Sequence, residues 1–429
     1  MHNATVLISG ASIAGPALAH WLGRYGFRPT VVEIAPALRG GGRAVDFRGQ
    51  THLGVLERMG VLEDLRRVQT GGTVMRFVDE RGRKLMELPA DFAGGDLEVL
   101  RSDLSRVLDE HSRDTTEYLF GDSITAMTQQ PRGVQVTFAS GARRTFDLVI
   151  GADGVHSNVR RLAFGPEARF VSHLGYHVAT WDLPNHLGLG RGSLLHNVPG
   201  TLASIGGDHR DPTKASAFVA FAAPRIGYAR HDLDQQRGII RKVFAGLGWQ
   251  VPRLLAALDE APDLCFYFDS ISRVDIWPWS RGRIALIGDA ASGATIGGMG
   301  TGTAIVAAYA LAGELAAAEG DHTVAYPRYE RLLRDFARRA QKGGDTTGKF
   351  LAPRSAWGIR LRNGLLNRPA LMNLMLKMAK DRTNDIELPD YRRPPTPRPR
   401  PAPVLTVPRI APTTSMPTHR RCGSDATTP

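Results

Sequence analysis

One segment constrains this chain more than any other. Thr5–Ser9 is a short apolar run that stops at Gly10, so it reads as a buried strand. Gly10-Ala11-Ser12-Ile13-Ala14-Gly15 follows, and then a helix over Pro16–Tyr25, with Pro in its first turn and Gly26 closing it. Pro29–Glu33 is a second buried strand. Strand, glycine turn, helix and strand make a βαβ unit, which commits the chain to a parallel sheet. Such a turn aims backbone N–H groups and a helix N-terminus at one point, the geometry that holds a diphosphate. Ser12 stands where the dinucleotide fingerprint has its middle glycine. It is small enough for close approach, and its hydroxyl adds a donor. Glu33 ends the second strand where a carboxylate accepting from a ribose 2′-hydroxyl is expected, and it disfavours a 2′-phosphate there. An ordinary βα turn is the alternative; the flanking elements and Glu33 favour a dinucleotide.

At 429 residues the chain exceeds one ordinary core, so two intimate domains are expected. Residues 39–50, glycine-rich and basic, read as a loop near a ligand. Gln50–Arg67 reads as one helix, Thr73–Leu88 as a hairpin turning at Asp79–Gly82, and Arg101–His111 as a helix. Ile124–Thr128, Gly133–Phe138 and Arg143–Phe146 alternate like antiparallel strands, and Asp147–Ile150 is again a buried strand. Over residues 166–275 the pattern changes to period-two runs, at Leu194–Val198, Ser216–Ala222 and Leu264–Ile271, with helices at Gln235–Ala245 and Pro252–Ala257. Arg283–Ile287 returns to the buried-strand pattern. Helices follow at Thr301–Glu319, Pro327–Gln341 and Pro369–Lys380. From Pro389 the chain is rich in Pro, Thr and Arg, and a disordered tail is expected.

Two further motifs carry chemistry. Asp147-Leu-Val-Ile-Gly-Ala-Asp-Gly-Val-His-Ser-Asn-Val-Arg160 delivers Asp153-Gly154 from a strand onto a turn. Alone, this string favours Asp as a helix cap and Gly as turn chemistry. Gly282-Arg-Ile-Ala-Leu-Ile-Gly-Asp-Ala-Ala291 presents Asp289 at a strand end, and Gly297-Gly-Met-Gly-Thr-Gly-Thr-Ala304 opens a helix whose N-terminus can stabilise negative charge.

In this order, the three motifs resemble the fingerprints of the FAD-dependent aromatic hydroxylases of the para-hydroxybenzoate hydroxylase fold, over roughly residues 4–345. Gly10–Pro16, Gly41-Gly-Arg-Ala-Val-Asp-Phe-Arg-Gly49 and Leu100-Arg-Ser-Asp-Leu104 are similar to the actinobacterial antibiotic-tailoring enzymes and the tetracycline- and rifampicin-inactivating monooxygenases. The resemblance implies an α/β fold. A Rossmann-like FAD-binding domain (residues 1–70, 98–165 and 276–345) interleaves with a mixed or antiparallel substrate sheet (71–97 and 166–275), and a helical segment (346–388) and the tail (389–429) follow. It implies that Gly10, Ala11, Ser12, Ile13, Ala14, Gly15 and Glu33 hold the ADP part of FAD and that Arg101 reaches its phosphate or ribose edge. Asp46 would lie by the ring or ribityl chain, and Asp153 would serve both FAD and NAD(P)H. Asp289 would bind the ribityl chain, and Gly298, Met299, Gly300 and Thr301 would run along the ring. Arg39 either meets a nicotinamide or is a solvated surface side chain.

The implied reaction is hydroxylation of an aromatic or polyketide-like molecule with NAD(P)H and O2, through a flavin C4a-hydroperoxide. Family members often carry a proline after Gly-Asp-Ala-Ala. Ser292–Gly298 has none, which puts the shape of the ring pocket in question and keeps Baeyer–Villiger oxygenation or double-bond reduction open. His177, His196 and His209 are candidate bases, each more often a core or exposed histidine. Phe218, Phe221, Phe266 and Phe268 face either a core or a ligand, and Trp277 and Trp279 a domain interface. The net charge of +12 is diffuse and Arg-rich, with no zinc-ligand spacing or nucleic-acid module, so no nucleic-acid partner is expected. A non-catalytic, membrane-associated flavin carrier is the third reading, motivated by the basic Pro369–Lys380 helix and the tail. No apolar run is long enough for stable membrane insertion. Cys265 and Cys422 are the two cysteines, a count that suits a reducing cytoplasm. A monomer or homodimer is expected.

Overall fold

The computed structural model describes residues 3–38, 44–294, 299–342, 344–368, 370–372 and 385–391. The fingerprint segment folds as β1 (Thr5–Ser9), α1 (Ala14–Arg24) and β2 (Arg28–Glu33). Val6, Leu7 and Ile8 are wholly buried, as a parallel strand covered on both faces requires. The chain continues through β3 (Ala44–Phe47), α2 (Gly49–Met59), α3 (Leu62–Arg67), β4 (Val74–Val78), β5 (Lys84–Leu88), α4 (Asp91–Gly94), β6 (Leu97–Leu100) and α5 (Arg101–Glu110). Two expectations are corrected here. The stretch read as loop contains β3, which pairs antiparallel with β6, Asp46 opposite Glu98. The single helix over Gln50–Arg67 is two, because Gly60 takes a φ of 83° and closes α2 in the left-handed region.

Next come β7 (Glu117–Phe120), β8 (Ile124–Gln130), β9 (Gly133–Phe138), β10 (Arg143–Phe146), β11 (Leu148–Gly151), α6 (Asn158–Phe164), β12 (Val171–Pro184), β13 (Gly192–Val198), β14 (Thr201–Gly207) and β15 (Lys214–Ala222). After α7 (Leu233–Phe244) and α8 (Val251–Glu260) lie β16 (Tyr267–Val274), β17 (Ser280–Arg281) and β18 (Ile284–Leu286). The strand expected from Leu264 thus starts at Tyr267, since Asp263–Cys265 forms a 3-10 turn after Pro262. The remaining helices are α9 (Asp289–Ser292), α10 (Gly300–Ala317), α11 (His322–Lys342), α12 (Thr347–Leu351) and α13 (Ala356–Leu366).

The first sheet has the order β17-β18-β11-β1-β2-β7 and is parallel except at β17. Chain segments far apart in sequence meet in it, so the ends of β1, β11 and β18 lie side by side. A seven-stranded sheet, β16-β12-β15-β14-β13-β4-β5, is antiparallel except between β13 and β4. Its longest strand, β12, lies next to the edge strand β16 and shows no steady alternation in sequence, because Gly175 (φ 83°) interrupts it where the register against β16 shifts.

α10 is buried on nearly every side from Gly302 to Leu315, which suits an Ala-rich helix in the middle of a core. α1 and α11 pack along it. Residues 389–391, expected to open the disordered tail, pack on α10 instead: the Tyr309 hydroxyl donates to Pro389 O (2.8 Å), and the Tyr391 hydroxyl donates to Glu314 (2.6 Å). The Tyr391 ring occupies the space a side chain at Gly313 would need. Pro369 and residues 373–380 of the expected basic helix, and residues 392–429 of the tail, lie outside the described residues.

The far face of the seven-stranded sheet is sealed by α7 and α8. Trp181 is wholly buried there, and its Nε1 donates to Leu254 O (3.1 Å). Trp181→Ala leaves a large cavity and removes this hydrogen bond, so denaturant unfolding should show a loss of about 3–5 kcal/mol. A loss under about 1 kcal/mol would contradict this packing.

Candidate functional site

The glycine turn is as tight as its sequence demands. Gly10 adopts a φ of 108°, and its N–H donates to Val32 O (2.8 Å). A Cβ on Gly10 would sit 2.6 Å from Ala152 O, and one on Gly15 would sit 1.9 Å from Gly10 O. Both positions therefore exclude any side chain, one for the turn and one for helix-on-strand packing. Ile13 is the N-cap residue of α1 and offers no capping side chain, and the first turn has no carboxylate. The first-turn N–H groups of α1, including that of Ala14, are thus free of any side-chain cap.

Side chains from elsewhere converge on this turn. Arg101 Nη2 donates to Ser12 Oγ (2.9 Å), and Ser105 Oγ donates to Ser12 O (2.9 Å), so α5 is tied to the loop at its middle position. Glu33 is half-buried and accepts from the N–H groups of Ala11 (2.8 Å) and Ala35 (3.0 Å). The carboxylate at the end of β2 is thereby aimed at the turn.

The second motif meets the first at Asp153. Its carboxylate accepts from Ser157 Oγ, from Val159 N–H (2.9 Å) and from Ser9 Oγ (3.4 Å). Burial pushes its pKa up, against the pull of these bonds. The N-cap of α6 is Ser157, whose Oγ accepts from Arg160 N–H (3.0 Å), rather than Asp153 as the isolated string suggests; Asp153 holds Ser157 and Val159 N–H and fastens the β11–α6 turn to the end of β1. Arg160, wholly buried, then reaches the third motif by donating to Ala290 O (2.9 Å) and to Val155 O (2.5 Å).

The third motif closes the groove. Gly288 (φ 60°) is wedged where a Cβ would lie 3.1 Å from Ala14 Cβ and 3.4 Å from Ala304 Cβ. This one glycine brings the start of α1 and the first turns of α10 together. Asp289 follows at the start of α9, with Oδ1 close to the backbone of Gly300. Burial raises its pKa, and the nearby Arg101 guanidinium opposes that rise. Met299 is the N-cap residue of α10 without a capping side chain; Gly300 and Thr301 are half-buried in its first turn, which holds no carboxylate. A water-sized cavity of about 10 Å³ lies between Asp289, Gly300, Thr303 and Gln341.

Asp46 sits on β3, paired with Arg48 Nε (2.5 Å). His52 links this strand to α10: its Nδ1 accepts from Arg48 N–H (3.2 Å), and its ring lies against Gly302. Burial lowers the His52 pKa to about 4, so the ring is neutral at pH 7. Arg39, Gly298 and most of the proline-less loop lie outside the described residues.

The candidate bases fare differently. His177 is wholly buried, clustered with the rings of Phe221 and Phe268, with neither ring nitrogen hydrogen-bonded to a described residue and its pKa lowered to about 4 by burial. His196 stacks on Trp249 and contacts Val78 O (3.1 Å), and His209 lies 3.4 Å from Thr73 Oγ1. Phe218, Phe221, Phe266 and Phe268 are core residues. Trp279 is buried against Tyr329, and Trp277 is exposed beneath Arg334. Ser105, Arg160 and His52 went unread in the sequence, since each acts through contacts remote in the chain.

Residues 3–176 match a family model described as an FAD binding domain. A flavin-dependent monooxygenase of Legionella longbeachae is 35% identical over 91% of this chain and 98% of its own length. Another flavin-dependent monooxygenase, from an unknown prokaryotic organism, is 37% identical over 91% of this chain and all of its own. The chain belongs to the flavin-dependent monooxygenases. Among solved structures, the tetracycline destructase Tet(51) superimposes with a TM-score of 0.80 at 33% identity, over 91% of this chain and all of that one. FAD is accordingly the dinucleotide of this monooxygenase. Among its described residues no helix is long and apolar enough to cross a membrane. Gly15→Ala should abolish flavin retention, because the added Cβ cannot coexist with Gly10 O. The ratio of flavin to protein absorbance after purification measures it, and a wild-type ratio would contradict the packing.

Proposed function

We propose that this monooxygenase uses NAD(P)H and O2 to hydroxylate an aromatic or polyketide-like small molecule, in secondary metabolism or antibiotic modification. The observation that carries the reading is the convergence of three distant motifs on one groove. Arg101 touches Ser12 and lies in the field of Asp289, and Gly288 joins the starts of α1 and α10. Residues 1–70, 98–165 and 276–345 form the FAD part in this reading, and residues 71–97 and 166–275 the substrate part.

The residues present fit FAD. Gly10 and Gly15 leave the turn bare for a diphosphate, and the Ser12–Ala14 amides and Arg101 supply donors to it. Glu33 would exchange its hold on Ala11 N–H for a ribose hydroxyl. Asp153 would act through the turn it fastens, and Asp289 would accept from the ribityl chain. Asp46 and Met299–Thr301 would border the ring. When bound, FAD supplies hydride acceptance and oxygen activation. The first turn of α10, which carries no acidic residue of its own, favours negative charge on the ring end of the groove. The apolar face carrying Phe77, Met86, Leu88 and Ile271 would keep the reaction dry. Relatives named as tetracycline destructases support a polycyclic substrate. A reducing cytoplasm is its place in this reading, which the count of two cysteines suits.

A screen of aromatic and polyketide compounds should find one that stimulates NAD(P)H oxidation and leaves as a product one oxygen heavier. Stimulated oxidation that yields only a product reduced by two hydrogens would overturn the hydroxylase reading.

A further inference from the structure

His156 lies two residues beyond the Asp153–Gly154 turn and has carboxylates on both ring nitrogens. Its Nδ1 is 3.1 Å from Glu167 Oε2, and its Nε2 is 3.1 Å from each oxygen of Asp269. Ionised carboxylates only accept, so both nitrogens must carry hydrogen and the ring is an imidazolium. A neutral ring would set a lone pair against one of the two acids. The three groups come from separate elements: the turn between β11 and α6, the 3-10 turn Glu167–Arg169, and β16 of the seven-stranded sheet.

The acids have further partners. Glu167 accepts from Arg230 Nη2 (2.7 Å). Asp269 accepts from Ser270 N–H (2.7 Å) and from the hydroxyls of Tyr267 (3.3 Å) and Tyr228 (3.4 Å). Arg160 stands in the field of Glu167 and Asp153, and the neutral, buried His177 in the field of Asp269. Tyr267 is 45% exposed, unusual for a ring whose hydroxyl is engaged, and it stands in the field of both Arg101 and Asp289. One of these, Arg101, is the side chain that touches Ser12 of the glycine turn.

We propose that His156 is a positioning residue: its imidazolium ties the Asp153–Gly154 turn to β16 and so holds Tyr267 at the cofactor groove. This rests on reading that groove as the seat of FAD. The tie joins the turn after β11, in the sheet that carries the glycine turn, to β16 of the sheet assigned to the substrate, as the Arg210–Asp103 pair joins the two parts elsewhere. Burial alone would lower the His156 pKa, but the bonds to Asp269 and Glu167 outweigh it and hold it above 6.5. Glu167 is likewise held down at about 2 by His156 and Arg230 against its own burial. The contribution of His156 is thus fully present below pH 6.5 and is lost as pH rises through its raised folded-state value.

The test is the FAD dissociation constant, read by flavin fluorescence from about pH 5.5 to about pH 9, for the wild type, H156Q and D269N. The wild type should bind more weakly through a single titration as pH rises, by about fivefold or more. H156Q should lack the step and bind with the weak, high-pH constant throughout. D269N, which keeps the histidine but removes one acid, should move the step to lower pH, and it decides the matter if H156Q does not fold. An H156Q variant that titrates like the wild type, or a D269N step left in place, would overturn the proposal. So would a wild type that binds FAD with no step at all. A wild type that binds no FAD at any pH would instead overturn the reading of the groove.

Discussion

The structure depends on backbone approaching backbone where no side chain can stand. Gly15 lies so close to Gly10 O that a methyl group would overlap it, and Gly288 fits between Ala14 and Ala304 with little to spare. These contacts press α1 against β1 and bring the start of α10 to the start of α1. Two helix N-termini without side-chain caps then meet beside the ends of β1, β11 and β18. The field of such termini falls off within a turn, so only this closeness lets both act on one bound molecule. The glycines create the site by what they leave out.

Charged groups complete what the glycines open. Arg101 stands between Ser12 and Asp289, and Arg160 crosses from the second motif to the third with its guanidinium on two carbonyl oxygens. A buried guanidinium without a carboxylate partner is costly unless its donors are used. Arg160 therefore fixes the relative height of the Asp153 and Asp289 turns more strictly than apolar packing would. Asp153 serves the same end, since its oxygens take the helix N-terminus and Ser9 together.

Much of this was legible in the residues. The βαβ unit could be read because a short apolar run, a glycine turn and a capped helix each signal locally and agree with one another. The same held for Asp79 in its hairpin and for the buried strand before Asp153. The break at Gly60 was missed because the apolar spacing continues across it, and β3 because glycine and arginine surround a strand too short to show alternation. β12 lost its period at the Gly175 irregularity. His52, Arg160 and Ser105 carry no local signal for their site contacts, since Gly302, Ala290 and Ser12 lie 250, 130 and 93 residues away. His156 stood inside a recognised motif, but Asp269, the acid that gives it a purpose, is 113 residues on.

The central claim is that the bare turn at Gly10–Gly15, with Arg101 across it, holds the diphosphate of FAD. A crystal structure of the FAD-loaded protein tests it directly. Diphosphate density is expected against the backbone N–H groups of Ser12–Ala14 and the Arg101 guanidinium, with Glu33 turned to the adenosine ribose. Density for the diphosphate elsewhere, with Glu33 still on Ala11 N–H and the turn facing solvent, would contradict it.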